Sequence, residues 1–468
     1  MAVLKKVIKL RTVVSSSAGL AMATSCYLAG LQVAIMTVGE LAWISILVAG
    51  GLCLLSAMCF SELTSLFPTA AGIKLYIQHA FNEKTAIAIS MFYVIGGATI
   101  VGAESYLLSS VLIESVGVIL HPIADRFFWQ VIFIVLVGYV NFKGVVITGR
   151  IQDFLTYSML SFLICVGLYT FWISGVDIST AIESPRFTIE NVFTATALGV
   201  FLFVGFEWVA PLAEETEDYK MVGKGMMLAI ALLSITYSVF VVAMYSGLTE
   251  EQLHSGTTIP HIIFARNLFG PVGAAVFICM SILASFTSFN SGILNNSRFV
   301  YAMARANIIP RVFSKLHSEN ASPWVAIISL VGFAIVLSFL ILITEQFLFI
   351  IVMAAALECF IYVVMALCVI RLRRILPDRE RAFKVPFGSV IPVVTILVFA
   401  ALMLGMFIDT TRDSLGNILF HNYWCAVAML IFACLTSFYA FKIVPGLKQA
   451  AEARAKSRKR RRPPKVQN

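Results

Sequence analysis

Residues 195–213 read A-T-A-L-G-V-F-L-F-V-G-F-E-W-V-A-P-L-A, an apolar stretch long enough to cross a bilayer but interrupted by Gly205, Glu207 and Pro211. An ionisable side chain at membrane depth costs at least ~2.5 kcal/mol on insertion scales, so it is usually kept for a pathway, a proton relay or a substrate. Gly and Pro weaken the helix around it, and backbone groups freed there are tolerated only inside protein or beside a water-filled cavity. The combination is typical of a transporter.

The rest of the chain has the composition of a polytopic membrane protein. Its 468 residues are 60% hydrophobic and 13% charged, against about 25% charged in an ordinary soluble domain. Apolar runs of about 20 residues, which can cross a hydrocarbon core of ~30 Å, recur along the chain. They lie near 13–38, 42–67, 85–113, 127–142, 154–175, 192–213, 225–247, 271–297, 324–343, 346–370, 388–408 and 420–441. We therefore expect an all-α membrane protein with twelve transmembrane helices.

The basic residues predict the orientation of these spans. With both termini in the cytoplasm, all but four of the 34 Lys and Arg residues fall on the cytoplasmic side, as the positive-inside rule requires. The four on the outer side are Arg126, Arg186, Arg266 and Arg412. We expect a multi-pass protein of the cell membrane, with a cytoplasmic N-terminus at 1–11 and a basic cytoplasmic tail at 442–468. This tail is expected to contact anionic membrane lipids, not nucleic acid.

The first apolar run is interrupted like the sixth. Residues 21–30 at its centre read A-M-A-T-S-C-Y-L-A-G, and broken helices in corresponding positions of two halves are the best sequence pointer to a transporter site. We therefore expect a first five-helix repeat at 12–175 and an inverted second repeat at 190–370. Helices 1 and 6 would be broken, and helices 11 and 12, at 388–441, would lie outside the repeat.

Four motifs in chain order carry a family resemblance. They are F-S-E-L-T-S-L-F-P-T-A-A-G at 60–72, N-F-K-G-V-V-I-T-G-R-I-Q-D at 141–153, G-F-E-W-V-A-P-L-A-E-E-T at 205–216, and S-R-F-V-Y-A-M-A-R-A-N-I-I-P at 297–310, the last followed by R-A-F-K-V-P-F at 381–387. Together they resemble the amino acid, polyamine and organocation permeases, the amino acid permease superfamily. The resemblance implies a permease that works by alternating access around broken helices 1 and 6.

The same resemblance implies a substrate site between the two broken helices. A carboxylate would bind backbone amides near Thr24–Cys26, because half-helix N-termini attract anions, and the amine would meet freed carbonyls near 204–206. The expected substrate-binding residues are Thr24, Ser25, Cys26, Phe201, Val204, Gly205, Phe206 and Glu207. The alternatives are small-residue packing for the first three and lipid or core contacts for the two Phe residues.

Acidic and hydroxyl side chains within the spans are candidates for ion coupling. Glu207 and Glu104 could bind H⁺ or an amine, and the alternative for each is a local or interhelical hydrogen bond. Ser285, Thr287 and Ser288 could offer oxygens to Na⁺, a hard cation, whereas the alternative is back-bonding within their own helix. A further acid, Glu358 near the centre of the tenth span, is predicted to be structural or gating.

Departures from the family's motifs restrict the prediction. Met159 stands where many members have a Lys in span five, and residues 23–26 lack the usual Gly-Ser-Gly pattern. The outer loop at 114–126 has no Cys, so we expect no disulfide-linked accessory chain, and no cofactor or metal is indicated. The expected function is a secondary transporter of a small amino acid rather than an enzyme. The alternatives are an amine or polyamine carrier or exchanger, and a membrane nutrient sensor without flux.

Overall fold

The computed structural model describes residues 6–23, 25–36, 41–174, 189–253, 259–412 and 418–460. The described chain is helical except for one two-stranded antiparallel sheet, β1 (Thr410–Arg412) with β2 (Ile418–His421). The α-helices are α1 (Leu10–Ala21), α2 (Ser25–Met36), α3 (Ala42–Leu66), α4 (Gly72–Ala80), α5 (Glu83–Val116), α6 (Pro122–Phe142), α7 (Val145–Ser174), α8 (Ile189–Phe201), α9 (Lys220–Ser246), α10 (Glu250–Leu253), α11 (Pro260–Arg305), α12 (Trp324–Thr344), α13 (Phe347–Ile375), α14 (Val390–Ile408), α15 (Tyr423–Phe438) and α16 (Val444–Arg460). Short 3-10 helices occupy Phe206–Glu214 and Arg311–Ser314, and a π-helix occupies Tyr439–Ile443.

Within the described residues, 10 helical segments are long and apolar enough to cross a membrane. These segments show a polytopic membrane protein, as the sequence predicts. The first predicted span is divided between α1 and α2, of 12 residues each, and the third corresponds to α5, of 34 residues. The count of twelve spans, the domain bounds and the inverted repeat stay predictions.

The helices are interrupted in the first and sixth predicted spans. α1 ends at Ala21, Met22 leaves the helical conformation (φ −86°, ψ 67°), and α2 begins at Ser25. α8 ends at Phe201, and the chain re-enters a 3-10 helix after Gly205, which has φ +106°. Such a φ is open to Gly and costly for other residues. A Cβ at Gly205 would also lie 2.7 Å from Leu20 Cδ2, so the two interrupted segments approach each other here.

Both broken segments are joined where the N-terminus enters the fold. Ile8 forms a parallel bridge with Thr216, and the N–H of Glu217 donates to the Ile8 carbonyl at 3.0 Å. One and a half turns from the break, the Ser17 hydroxyl donates to the Phe206 carbonyl at 2.8 Å. The chain before the first break and the chain after the second break are therefore joined into one unit.

Buried ion pairs reinforce the same side of the molecule. Arg298 Nε lies 3.1 Å from Glu215 Oε1, with both side chains 1% exposed. Glu62 bonds Arg373 Nη2 at 2.5 Å and Arg381 Nε at 3.1 Å. A buried charge is tolerated when paired and hydrogen-bonded. The first pair ties α11 to the end of the 206–214 helix, and the Glu62 cluster ties α3 to α13 and to the chain after it.

Candidate functional site

A cavity lies between the two interruptions, with an empty volume of about 530 Å³ that includes open solvent at its mouth. Helices α1, α2, α5, α8 and α11 and the 206–214 helix contribute to its wall. The lining residues are Leu20, Ala21, Ala23, Cys26, Gly97, Val101, Glu104, Phe201, Val204, Gly205, Trp208, Ser288, Gly292 and Asn296. The wall is mostly apolar, with a few polar groups and one carboxyl, which is typical of a small-molecule site.

The structure brings some of the expected site residues to this cavity and leaves others away from it. Those in the wall are Cys26, Phe201, Val204, Gly205, Glu104 and Ser288. Phe206, Glu207, Ser285 and Thr287 are buried outside the wall. Thr24 lies outside the described residues, and Ser25 begins α2 but its side chain is not among those described.

The two chain breaks leave backbone amides at the cavity. No hydrogen-bond partner for the N–H of Ala23 or of Gly205 occurs among the described residues. The carbonyls at the end of α1 are satisfied instead: Leu20 O accepts from Ser288 Oγ at 2.9 Å, and Ala21 O from Tyr237 Oη at 2.9 Å. Because the carbonyls are occupied and the amides are bare, this part of the wall favours an anionic group.

One buried acceptor in the wall also lacks a partner. Asn296 is 4% exposed, and its Oδ1 accepts no hydrogen bond from the described residues. An unpaired buried acceptor costs about 1–3 kcal/mol, so a donor from a bound molecule would relieve that cost. Together with the bare amides, the cavity offers complementary groups to a molecule carrying both an acidic and an amino group.

Helical spacing explains the wall residues that sequence reasoning missed. Gly97, Val101 and Glu104 lie on one face of α5, and Ser288, Gly292 and Asn296 lie on one face of α11, since residues three or four apart share a helix face. Gly97 is required there, because a Cβ would lie 2.0 Å from Cη2 of the Trp208 indole. Spacing from Glu104 and Ser288 could have identified the others.

Trp208 separates the cavity from a buried acidic cluster. Its ring stacks on Tyr93 with centroids 3.9 Å apart, and its Nε1 donates to Glu358 Oε1 at 3.0 Å. Glu207, fully buried, accepts from Tyr93 Oη at 3.2 Å and from Tyr362 Oη at 3.0 Å. Glu207 is therefore held by tyrosines of α5 and α13, one layer behind the cavity wall.

Phe206 and the hydroxyls of α11 have mixed placements. The Phe206 ring packs in the core, 6.1 Å from Phe60 and 5.5 Å from Tyr362 between centroids. Thr287 Oγ1 donates to the Ala284 carbonyl of its own helix at 2.7 Å, which is back-bonding, whereas Ser288 reaches across to α1. A Na⁺ site formed by Ser285, Thr287 and Ser288 stays a prediction.

Comparison with known proteins identifies relatives over most of the chain. A family model described as "Amino acid permease" matches residues 10–440. The chain is 25% identical over 392 residues to the branched-chain amino acid permease BcaP of Bacillus subtilis (strain 168), covering 79% of this chain and 82% of the relative. It is 24% identical over 379 residues to the large neutral amino acids transporter small subunit 2 of Homo sapiens, covering 78% and 68%. It is also 24% identical over 403 residues to the methylthioribose transporter of Bacillus subtilis (strain 168), covering 81% and 83%.

Proposed function

The chain belongs to the amino acid permease family, and from that premise we propose that it is a secondary active transporter that carries a small amino acid across the membrane by alternating access. The observation that carries the proposal is the cavity between the two interrupted helices, where bare amides and an unpaired acceptor meet.

The polar groups of the cavity suggest how an amino acid would lie. The carboxylate would bind near Thr24–Cys26 at the N-terminal end of α2, where the Ala23 amide is bare and the half-helix end is positive. The Cys26 N–H itself already donates to the Ala23 carbonyl at 3.1 Å. The amine would donate to carbonyls near Val204–Phe206 and to Asn296 Oδ1. The side chain would then lie against the apolar wall of Phe201, Val101 and Trp208.

Alternating access requires one side to be closed while the other is open. We propose that the Ser17–Phe206 bond and the Ile8–Thr216 bridge hold the side of the N-terminus closed in this conformation. We propose that these contacts break when the cavity opens to that side, through movement of the two five-helix repeats at 12–175 and 190–370 against each other.

The coupling ion is proposed from the acids and hydroxyls near the site. Glu104, in the wall, and Glu207, behind Trp208, are the candidates for H⁺. Ser285, Thr287 and Ser288 are the candidates for Na⁺. We further propose a cell-membrane location with both termini cytoplasmic, a tail at 442–468 attracted to lipid head groups, and no disulfide-linked accessory chain.

A second candidate substrate is an amine or polyamine. Glu104 is only 2% exposed and lies in the wall, where its carboxyl could bind an ammonium group. The relatives differ in the substrate for which each is named: methylthioribose for one, branched-chain amino acids for another and large neutral amino acids for a third. The apolar side-chain wall and the bare amides favour the amino acid.

Reconstituted vesicles test the function. Purified protein would first be screened by thermal shift against the standard amino acids, their decarboxylated amines and methylthioribose, since a ligand raises stability in proportion to RT ln(1 + [L]/Kd). The ligand giving the largest shift is then offered to proteoliposomes, with protein-free liposomes as control. We expect an amino acid to be accumulated against its gradient. Saturable binding without flux would indicate a sensor, and preferential uptake of the amine would indicate the second candidate.

A further inference from the structure

Two carboxyl groups meet behind the cavity wall. Glu207 belongs to the 206–214 helix and Glu358 to α13, and both side chains are fully buried. Trp208, the residue after Glu207, donates to Glu358, and Tyr362, one turn after Glu358, donates to Glu207, so the two carboxyls are neighbours. Two ionised carboxylates in contact within an apolar interior would repel strongly and would each lose their hydration. The arrangement is stable only with a proton between them.

The hydrogen-bond donors around the pair indicate which acid holds the proton. Both oxygens of Glu207 already accept a tyrosine hydroxyl, from Tyr93 and Tyr362. Glu358 Oε1 accepts the Trp208 indole N–H, and Glu358 Oε2 has no donor among the described residues. A proton on Oε2 would convert this orphan acceptor into a donor toward Glu207.

The other titratable groups around the pair supply no compensating charge. They are Cys53 of α3, Tyr93 of α5, and Cys359 and Tyr362 of α13. Neither carboxyl pairs with a Lys, Arg or His among the residues that the structure describes. With no cation in contact, a single negative charge shared over three donors is the most that the site accommodates.

We propose that Glu358 and Glu207 form a proton-binding site in which Glu358 carries the proton on Oε2 and donates it to the Glu207 carboxylate. This inference rests on the proposed transport function and assigns its coupling ion as H⁺. On release, the O–H bond of Glu358 breaks, its electron pair stays on Oε2, and the proton passes to water on the open side. Rebinding on the opposite side restores the acid, so one proton accompanies each cycle.

Trp208 links this proton to the substrate. Its indole forms part of the cavity wall on one face and donates to Glu358 on its edge. When Glu358 ionises, repulsion from Glu207 moves Glu358 Oε1 away from the Trp208 N–H. The indole then loses the hydrogen bond that positions it beside the substrate. Because coupling between two ligands is reciprocal, substrate binding must also change the proton occupancy of the pair.

The decisive variant is Glu358→Gln, which keeps a donor toward Glu207 but cannot release a proton. In proteoliposomes carrying a pH gradient of one unit, with the membrane potential held at zero, a cycle that moves one proton with each zwitterionic substrate accumulates that substrate up to about tenfold. We expect wild type to approach that ratio and Glu358→Gln to stay near one, while exchange of internal for external substrate continues. Glu345→Gln, an exposed acid at the end of α12, is the matched control and should behave as wild type. Proton-driven accumulation by Glu358→Gln at the wild-type level would overturn the proposal.

A second readout does not depend on transport. Infrared spectra of purified protein at neutral pH should show a protonated carboxylic acid band in wild type and in Glu345→Gln that is absent in Glu358→Gln. If no ligand is transported but this band behaves as expected, the proton site stands and the transport function fails. If substrate is transported but Glu358→Gln leaves the band unchanged, the proton site is wrong and the transport function stands.

Discussion

Replacing Gly205 with Ala tests whether the close approach of the two broken segments forms the site. The residue has φ +106°, and a left-handed conformation costs an L-residue about 1–2 kcal/mol. The new Cβ would lie 2.7 Å from Leu20 Cδ2 and 2.8 Å from Leu20 Cγ, and overpacking of this kind adds about 1–3 kcal/mol. The expected loss of stability is therefore about 2–5 kcal/mol.

The loss should also weaken substrate binding, because both Leu20 and Gly205 line the cavity. The assay is the unfolding temperature of the detergent-purified protein, with and without saturating substrate, at matched protein concentration. Gly205→Ala should unfold at a lower temperature and show a smaller substrate-induced shift than wild type.

Two variants separate the causes. Gly51→Ala, in α3, meets nothing within 4 Å. It should leave the substrate-induced shift unchanged and keep or slightly raise the unfolding temperature, since Ala is favoured over Gly in a helix by about 1 kcal/mol. Adding Leu20→Ala to Gly205→Ala removes the overlapping atoms. The double variant should therefore regain the stability that Gly205→Ala loses to overpacking, but not the stability that it loses to the left-handed backbone. If Gly205→Ala were as stable as Gly51→Ala and bound substrate equally well, the reasoning about the two segments would be wrong.

Three further predictions concern side chains around the site. Glu104→Gln should reduce uptake of an amine that lacks a carboxylate by roughly tenfold or more, since a hydrogen bond to a charged group contributes about 1.5–3 kcal/mol. Uptake of an amino acid should fall less. Equal losses for the two substrates in a competition assay would speak against Glu104 as the amine-binding acid. Tyr362→Phe removes a hydrogen-bond donor from the Glu207 carboxylate and should lower the free energy of unfolding by about 1.5–3 kcal/mol. The control is Tyr76→Phe: the Tyr76 hydroxyl donates to neutral Thr64, so its loss should cost only about 0.5–1.5 kcal/mol. Chemical denaturation measures both, and equal costs would indicate that Glu207 does not depend on its tyrosines. Burial lowers the pKa of Lys74 from its usual 10.5, and Glu83 offsets this only in part. Between the lowered pKa and 10.5 the unfolded chain binds more protons than the folded one, so stability should rise with pH in that window. Melting temperatures measured over this pH range test it, and the same rise in Lys74→Met would contradict the assignment to Lys74.

The interruption of the sixth span was predictable from the sequence because Gly205, Glu207 and Pro211 are visible within an apolar run, and that of the first span because small and polar residues stand at its centre. Both interruptions are found, after Ala21 and after Phe201. The local cause of the second is the backbone itself, which needs no knowledge of distant contacts: Gly205 is left-handed just before the 3-10 helix, and Pro211 is accommodated within that helix. The family was predictable as well, because its motifs are read directly from the sequence, and the family model that matches residues 10–440 confirms it.

The orientation of residues after the second break was not predictable. Phe201 reaches the cavity wall and Phe206 the core, because the turn at Gly205 resets the helical phase and periodicity no longer relates the two positions. Glu207 faces away from the cavity because Tyr93 and Tyr362 bond it, and they lie 114 and 155 residues away in the chain. The contact between Glu207 and Glu358 likewise depends on how α13 packs.

A cryo-electron microscopy structure with the amino acid that gives the largest thermal shift would locate the substrate. We expect ligand density between Ala23–Cys26 and Val204–Gly205, with the carboxylate toward the start of α2 and the side chain toward Phe201. Density for the ligand at any other place, with this cavity empty at a saturating concentration, would contradict this expectation.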